Sequence, residues 1–300
     1  MGEALEGFSG LHALLGLPTA QALRERMRLG VAEIEREIVA YNCRDTDRNG
    51  LSDTDWLHYL VDEIASERPM EDGNVRDRGH AGMRLTDFVS LPMATEAGLS
   101  EAHVLALRLY TCGGVWDRIN GPLLLGLGGG GQGSWPPPSA HPYAATVGHL
   151  AAALHRIRKW STALPDGGRG GFLFRGARDF ELTDELLERG GCERGFVSLL
   201  SDRLSAFKQA ARGGARSLVL FKVRADNLHY LPVDVHWCSV FPRQTEFNVP
   251  IREYVLPPWT HLRPIVSLAQ PRPLEETKKG PGGAEIVVRT LEVEPTWPLA

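Results

Sequence analysis

The chain has 300 residues, of which 43% are hydrophobic and 23% charged, with a formal net charge of -4. This is ordinary for a soluble globular protein and long enough for one large domain or two modest ones. So small a net charge advertises no nucleic-acid partner, and no apolar run approaches the roughly 20 residues a membrane span needs. The opening segment MGEALEGFSG lacks a basic stretch followed by an apolar one, so no secretory signal is expected. Glu6 stands where a myristoylation signal needs Ser or Thr, so no lipid anchor is expected. Cys43, Cys112, Cys192 and Cys238 are scattered without a Cys-x-x-Cys pair, which reads as free thiols in a reducing, cytoplasmic setting.

In chain order, the first half reads as helical. TAQALRERMRLGVAEIEREIVAYN and DTDWLHYLVDEIASE carry apolar residues at helical spacing with charge on the other face. After the loop RPMEDGNVRDRGHAG, LSEAHVLALRLYT predicts a third helix with Ser100 as N-cap. The glycine- and proline-rich GLGGGGQGSWPPPSAHP predicts a flexible break, and YAATVGHLAAALHRIRKW a fourth helix. From residue 171 the character changes. GGFLFRGARDFEL, RGFVSLL, RSLVLFKVRA, LPVDVHWCSVF and EIVVRTLEVE read as strands, with short helices in TDELLERGG and, capped by Ser201, in SDRLSAFKQAARGG. Helices first and strands afterwards predict an α+β architecture rather than alternating βαβ units.

Between the first two helices, DTDRNGLSDTDW sets Asp45, Asp47, Asn49, Gly50 and Asp53 at positions 1, 3, 5, 6 and 9 of a calcium-type loop. Trp56 occupies position 12, where such a loop needs a bidentate glutamate. The metal candidates are Asp45, Asp47, Asn49 and Asp53, and the ordinary alternative is turn and N-cap chemistry between two helices. The glycine run at 126–132 has no lysine and follows no strand, so it is not a phosphate loop. His149 and His155 are too far apart for a zinc-binding helix.

Three segments of the second half carry chemistry when weighed together. Arg175 ends an apolar run in FLFRGA and precedes Gly176; its planar fork of donors suits a pyrophosphate or a carboxylate. Ser198 in GFVSLLS suits orienting a neighbour by hydrogen bonding. In an extended strand Gln244 and Glu246 point the same way. The glutamate setting then recurs seven residues later at Glu253, again followed by an aromatic, two residues and a proline. Each signal alone has a plain alternative: a salt-bridged arginine, a serine satisfied by backbone, a pair of solvated glutamates.

Together, Arg, Ser and a Gln/Glu-x-Glu pair, in this order and each on a strand, resemble the arginine–serine–glutamate class of mono-ADP-ribosyltransferases. The resemblance extends to LALRLYTCGGVWDRINGPL, LFRGA, GFVSLLSDRLSAF, SVFPRQTEF and EYVLPPWTHL, covering roughly residues 85 to 270. It implies an ADP-ribosyltransferase-like split β-sheet core over 85–290; the residue patterns on either side give a helical N-terminal extension with a possible EF-hand-like loop over 1–84 and a tail over 291–300. It also implies NAD (or NADP) as substrate and a protein side chain as acceptor, arginine by default; from charge and hydropathy, no nucleic-acid or membrane partner is expected. The implied roles are phosphate binding by Arg175 beside Gly176, orientation of the glutamate by Ser198, and stabilisation of an oxocarbenium-like transition state by a carboxylate. Two departures stand out. Leu200 occupies the third position of the family's Ser-Thr-Ser, with Ser201 one place late. The glutamate is ambiguous too: counting forward from Ser239 gives Glu246 with Gln244 as partner, the favoured assignment, and counting back from Pro257 gives Glu253 with Ile251. Two other functions stay open: a catalytically degenerate domain that binds a nucleotide or partner, and a calcium-responsive interaction protein.

Overall fold

The computed structural model describes residues 10–41, 50–62, 67–69, 75–125, 140–163, 171–212, 214–227, 231–244, 249–265, 273–280 and 283–297. The chain forms two compact units, one of Met1–Ser161 with Val235–Arg243 and one of Thr162–Asp234 with Gln244–Pro298. The boundary expected after residue 84 falls inside the first unit, because the later helices bury their faces against the earlier ones.

The first unit is helical: α1 (Leu11–Leu14), α2 (Ala20–Met27), α3 (Val31–Tyr41), α4 (Asp53–Val61), α5 (Leu85–Val89), α6 (Pro92–Glu96), α7 (Glu101–Tyr110), α8 (Gly113–Leu125) and α9 (Ala144–Ala163), with a ribbon of β1 (Arg68–Pro69) and β2 (Val75–Arg76). Every residue of α7 from Ala102 to Tyr110 is buried, as a helix apolar on most sides must be. The single helix expected across residues 19–42 is two, because Gly30 adopts a left-handed φ of 59° between α2 and α3. Ile119 and Asn120 lie inside α8, which carries Pro122. Two buried carboxylates inside this unit are paired. Glu37 accepts from the backbone N–H groups of Ala145 and Thr146 at 2.6 and 2.9 Å and from the Thr146 hydroxyl at 2.9 Å, capping the start of α9. Asp77 accepts two bonds from Arg108 Nη2 at 3.0 and 3.1 Å and one from the Tyr59 hydroxyl, with His80 at 3.3 Å.

The second unit contains β3 (Phe172–Arg178), α10 (Asp184–Arg189), β4 (Gly191–Glu193), β5 (Val197–Leu200), α11 (Arg203–Ala211), β6 (Ser217–Arg224), β7 (Val233–Asp234), β10 (Glu253–Leu256), β11 (Thr260–Pro264), β12 (Leu274–Lys279) and β13 (Glu285–Thr296), and a ribbon pairs β8 (Arg243–Gln244) with β9 (Pro250–Ile251). Nine strands form one sheet in the order β4-β11-β13-β6-β3-β5-β10-β7, with β12 added on β13. Of the described strand pairs only β6–β13 is parallel, so the protein is α+β. The sheet is nearly split at one line. β3 pairs with β6 over seven residues, but with β5 through Phe174 and Leu200 alone. α11 lies over one face, packing Phe207, Ala206 and Ala210 on Leu200, Leu218, Leu220, Ile251, Ile286 and Val288.

Several local expectations change. LPVDVHWCSVF is not one strand: after the two residues of β7 the chain turns through a 3-10 segment at His236–Cys238. Ser201 does not cap α11. Asp202 does, accepting from the Ser205 N–H at 2.7 Å, while Ser201 exchanges hydrogen bonds with the backbone of Arg252. Residues 291–296, expected in a tail, complete β13, where Leu291 and Val293 pair with Phe221 and Val223 of β6.

Candidate active site

Arg175, Ser198 and Glu253 stand on β3, β5 and β10, three consecutive strands of the sheet. Their relative facing follows from register. Leu200 is opposite Phe174 on β3 and opposite Glu253 on β10, so these three side chains share the face that carries α11. Ser198, two residues from Leu200, shares that face and is paired with Val255. Ser198 and Glu253 are therefore diagonal cross-strand neighbours, a relation that sets residues about 7–8 Å apart with their Cβ atoms somewhat closer. Arg175, next to Phe174, faces the other side of the sheet, where it is paired with Phe221. From Arg175 onward β3 is laddered to β6 alone, so the sheet parts beside it.

The backbone around Glu253 is fixed on both sides. The Arg252 N–H donates to Ser201 Oγ at 2.9 Å, the Ser201 N–H donates to the Arg252 carbonyl at 3.0 Å, and the Arg252 side chain pairs with Asp234 at 3.2 Å. The Asp234 charge raises the Arg252 pKa further. Burial, with Asp234 beside it, raises that of the Tyr254 phenol. Both groups hold their protons through the neutral range, so Arg252 stays charged and Tyr254 stays neutral around Glu253.

Arg175 donates from Nη1 to Glu193 Oε1 at 2.7 Å, with both side chains about a quarter exposed (25% and 23%). Glu193 escapes sequence reading because β4 is three residues long and reaches β3 only through the fold. Gly176 is filled by packing rather than open to a ligand: a Cβ there would collide with Ala210 Cβ and lie 3.0 Å from the Ala206 carbonyl oxygen of α11. Gly176 thus lets α11 approach β3 closely. Leu200, the departure from a polar third position, is 5% exposed in the apolar cluster under α11.

The other candidates stand as follows. Glu246 lies outside the described residues, and Gln244 belongs to the β8–β9 ribbon. Of the calcium-type loop, Asp45, Asp47 and Asn49 also lie outside the described residues. Asp53 begins α4, is 4% exposed, accepts from the Tyr143 hydroxyl at 3.0 Å and lies 3.8 Å from Arg118. Its carboxylate is used inside the helical core, which removes it from an outward-facing ligand set. Among the described residues no cluster of three or more His, Cys, Asp or Glu is arranged for a metal, and no helix is long and apolar enough to cross a membrane. Cys192 is exposed, and burial followed by the Glu193 charge raises its pKa, so the thiol is not activated.

No family model and no curated protein matches the chain. Among solved structures it is similar to the ADP-ribosyltransferase HopU1 of Pseudomonas syringae pv. tomato DC3000, with 16% identity and a TM-score of 0.44 over 91% of this chain and 97% of that one.

Proposed function

We propose that the sheet unit is the catalytic part of an NAD-dependent mono-ADP-ribosyltransferase acting on a protein side chain, arginine first, in the cytoplasm. The observation that carries this reading is the shared face of Ser198 and Glu253 on adjacent strands, with Arg175 on the next strand over. The bond between nicotinamide and the ribose C1′ breaks, its electron pair leaves on nicotinamide, and the ribose becomes oxocarbenium-like. The Glu253 carboxylate stabilises that positive charge from a rigid strand, and preorganised electrostatics of this kind is usually the largest catalytic term. Ser198 positions the carboxylate. A guanidinium nitrogen of the acceptor gives up its proton to solvent as it bonds to C1′. Arg175 holds the pyrophosphate. Glu253, rather than Glu246, is the catalytic copy in this reading because its strand pairs directly with β5.

A second reading keeps nucleotide binding without transfer. Two observations favour it: Leu200 is committed to the apolar cluster, and Arg175 faces away from Ser198 and Glu253 with its guanidinium already paired. Incubation with NAD and a model arginine acceptor separates the two. Transfer or nicotinamide release by wild type, lost in Glu253→Gln, supports the enzyme; binding of NAD without either product supports the second reading.

A further inference from the structure

On the face of the sheet that carries Arg175 lies a cavity of about 140 Å³, lined by Phe180, Leu186, Cys192, Glu193, Phe221 and Leu291 among others. Phe221 is the register partner of Arg175 on β6, and Leu291 is that of Phe221 on β13, so all three side chains project to this face. Phe180 and Phe221 meet edge to face at 5.8 Å. The walls are apolar, and Glu193 is the charged residue among them, the same carboxylate that holds Arg175 at 2.7 Å.

We infer that Glu193 is a built-in competitor for Arg175, occupying the guanidinium that a phosphate-bearing ligand takes, and that the cavity receives the ring of that ligand. The ligand class is a nucleotide: a planar ring against Phe180 and Phe221, and a phosphate that displaces the Glu193 carboxylate. Displacement is affordable because both partners are about a quarter exposed, and such pairs contribute little to stability. The released carboxylate turns to water instead of being stranded in a dry core, where an unpaired charge is costly. This inference builds on the phosphate role proposed for Arg175 but does not need transfer to occur.

The test is calorimetric titration of the full chain with inorganic pyrophosphate and with ADP-ribose, comparing wild type with Glu193→Gln, Arg175→Gln and Leu186→Trp. Glu193→Gln is expected to tighten pyrophosphate about threefold, the scale of an exposed ion pair, and Arg175→Gln to abolish binding. Leu186→Trp, which fills the cavity, is expected to weaken ADP-ribose and leave pyrophosphate unchanged. If Leu186→Trp fails the circular-dichroism check for folding, Leu186→Phe replaces it. Weaker pyrophosphate binding in Glu193→Gln overturns the inference, since Glu193 would then be bracing Arg175. So does an unchanged affinity, or the absence of pyrophosphate binding by every protein. ADP-ribose binding that survives a filled cavity overturns the ring site. Nicotinamide release is assayed in parallel: tightening by Glu193→Gln without release by wild type sinks the transferase reading and leaves this one standing.

Discussion

The two units treat charge differently. The helical unit holds a fully buried ion pair, which no described pair of the sheet unit matches: Arg108 and Asp77 are 1% and 0% exposed. Arg108 also donates to the Cys238 carbonyl at 3.1 Å and lies over the Phe88 ring. Burial pushes Asp77 up, but the His80 hydrogen bond and the Arg108 charge outweigh it and hold the carboxyl below its usual range. In the sheet unit the pairs are half-exposed and sit on strand faces, among them Arg175–Glu193, Lys222–Glu292 and Arg263–Glu294. A buried pair cannot release one partner without stranding the other charge. A quarter-exposed pair can. The Arg108–Asp77 pair therefore fixes structure, while a pair such as Arg175–Glu193 is available to a ligand.

The comparison breaks most visibly at Arg108. Arg108→Met leaves Asp77 buried without its partner and should cost about 3–5 kcal/mol, read as a lower midpoint in urea. Gly176→Ala sharpens the packing side of the account. The added methyl meets Ala210 and the Ala206 carbonyl, and overpacking of this kind costs about 1–3 kcal/mol, measured by thermal melting.

Acid tests the helical unit through its histidines. Burial lowers His103 to about 3, with His149 and Arg156 adding to the effect, and lowers His149 and His141 to about 4. These groups are neutral when folded and take a proton in the unfolded chain below about 6.5. Their contribution is thus complete above pH 6.5 and is lost as pH falls toward 4. Glu37 runs the other way: burial raises it to about 7, so its contribution is complete below 4.5 and lost as pH rises through 7. In a Glu37→Gln background, the unfolding free energy from urea titrations should fall between pH 7 and pH 5 by about 1–2 kcal/mol per buried histidine. Adding His103→Gln and His149→Gln should flatten that slope. The smallest effect belongs to the sheet surface. Glu294→Gln removes the partner 2.6 Å from Arg263, whose side chain is 63% exposed, and should change stability by about 0–1 kcal/mol.

Much of this was legible before the fold was in hand. Phe172–Arg178, Val197–Leu200, Ser217–Arg224 and the start of Glu285–Thr296 are strands because short runs of β-branched and aromatic residues are bounded by glycine and turn residues. α10 ends at Gly190 and is capped by Thr183, as its sequence signals. What sequence could not give is facing. Strand parity puts Arg175 opposite to Phe174, but only the pairing of Phe174 with Leu200 tells which side Ser198 takes. Glu193 was invisible for a related reason: its partner is 18 residues away, on a strand that is not its neighbour in the sheet. Ser201 misled because Asp202 is also a strong cap and sits one residue nearer the helix.

The most direct test of the central claim is nicotinamide release from NAD by wild type, Glu253→Gln and Glu246→Gln, each checked for unchanged melting. The account predicts release by wild type and by Glu246→Gln, with Glu253→Gln at least about 100-fold slower, the scale of losing one preorganised electrostatic contact. Full activity in Glu253→Gln, or no release by wild type, would contradict it.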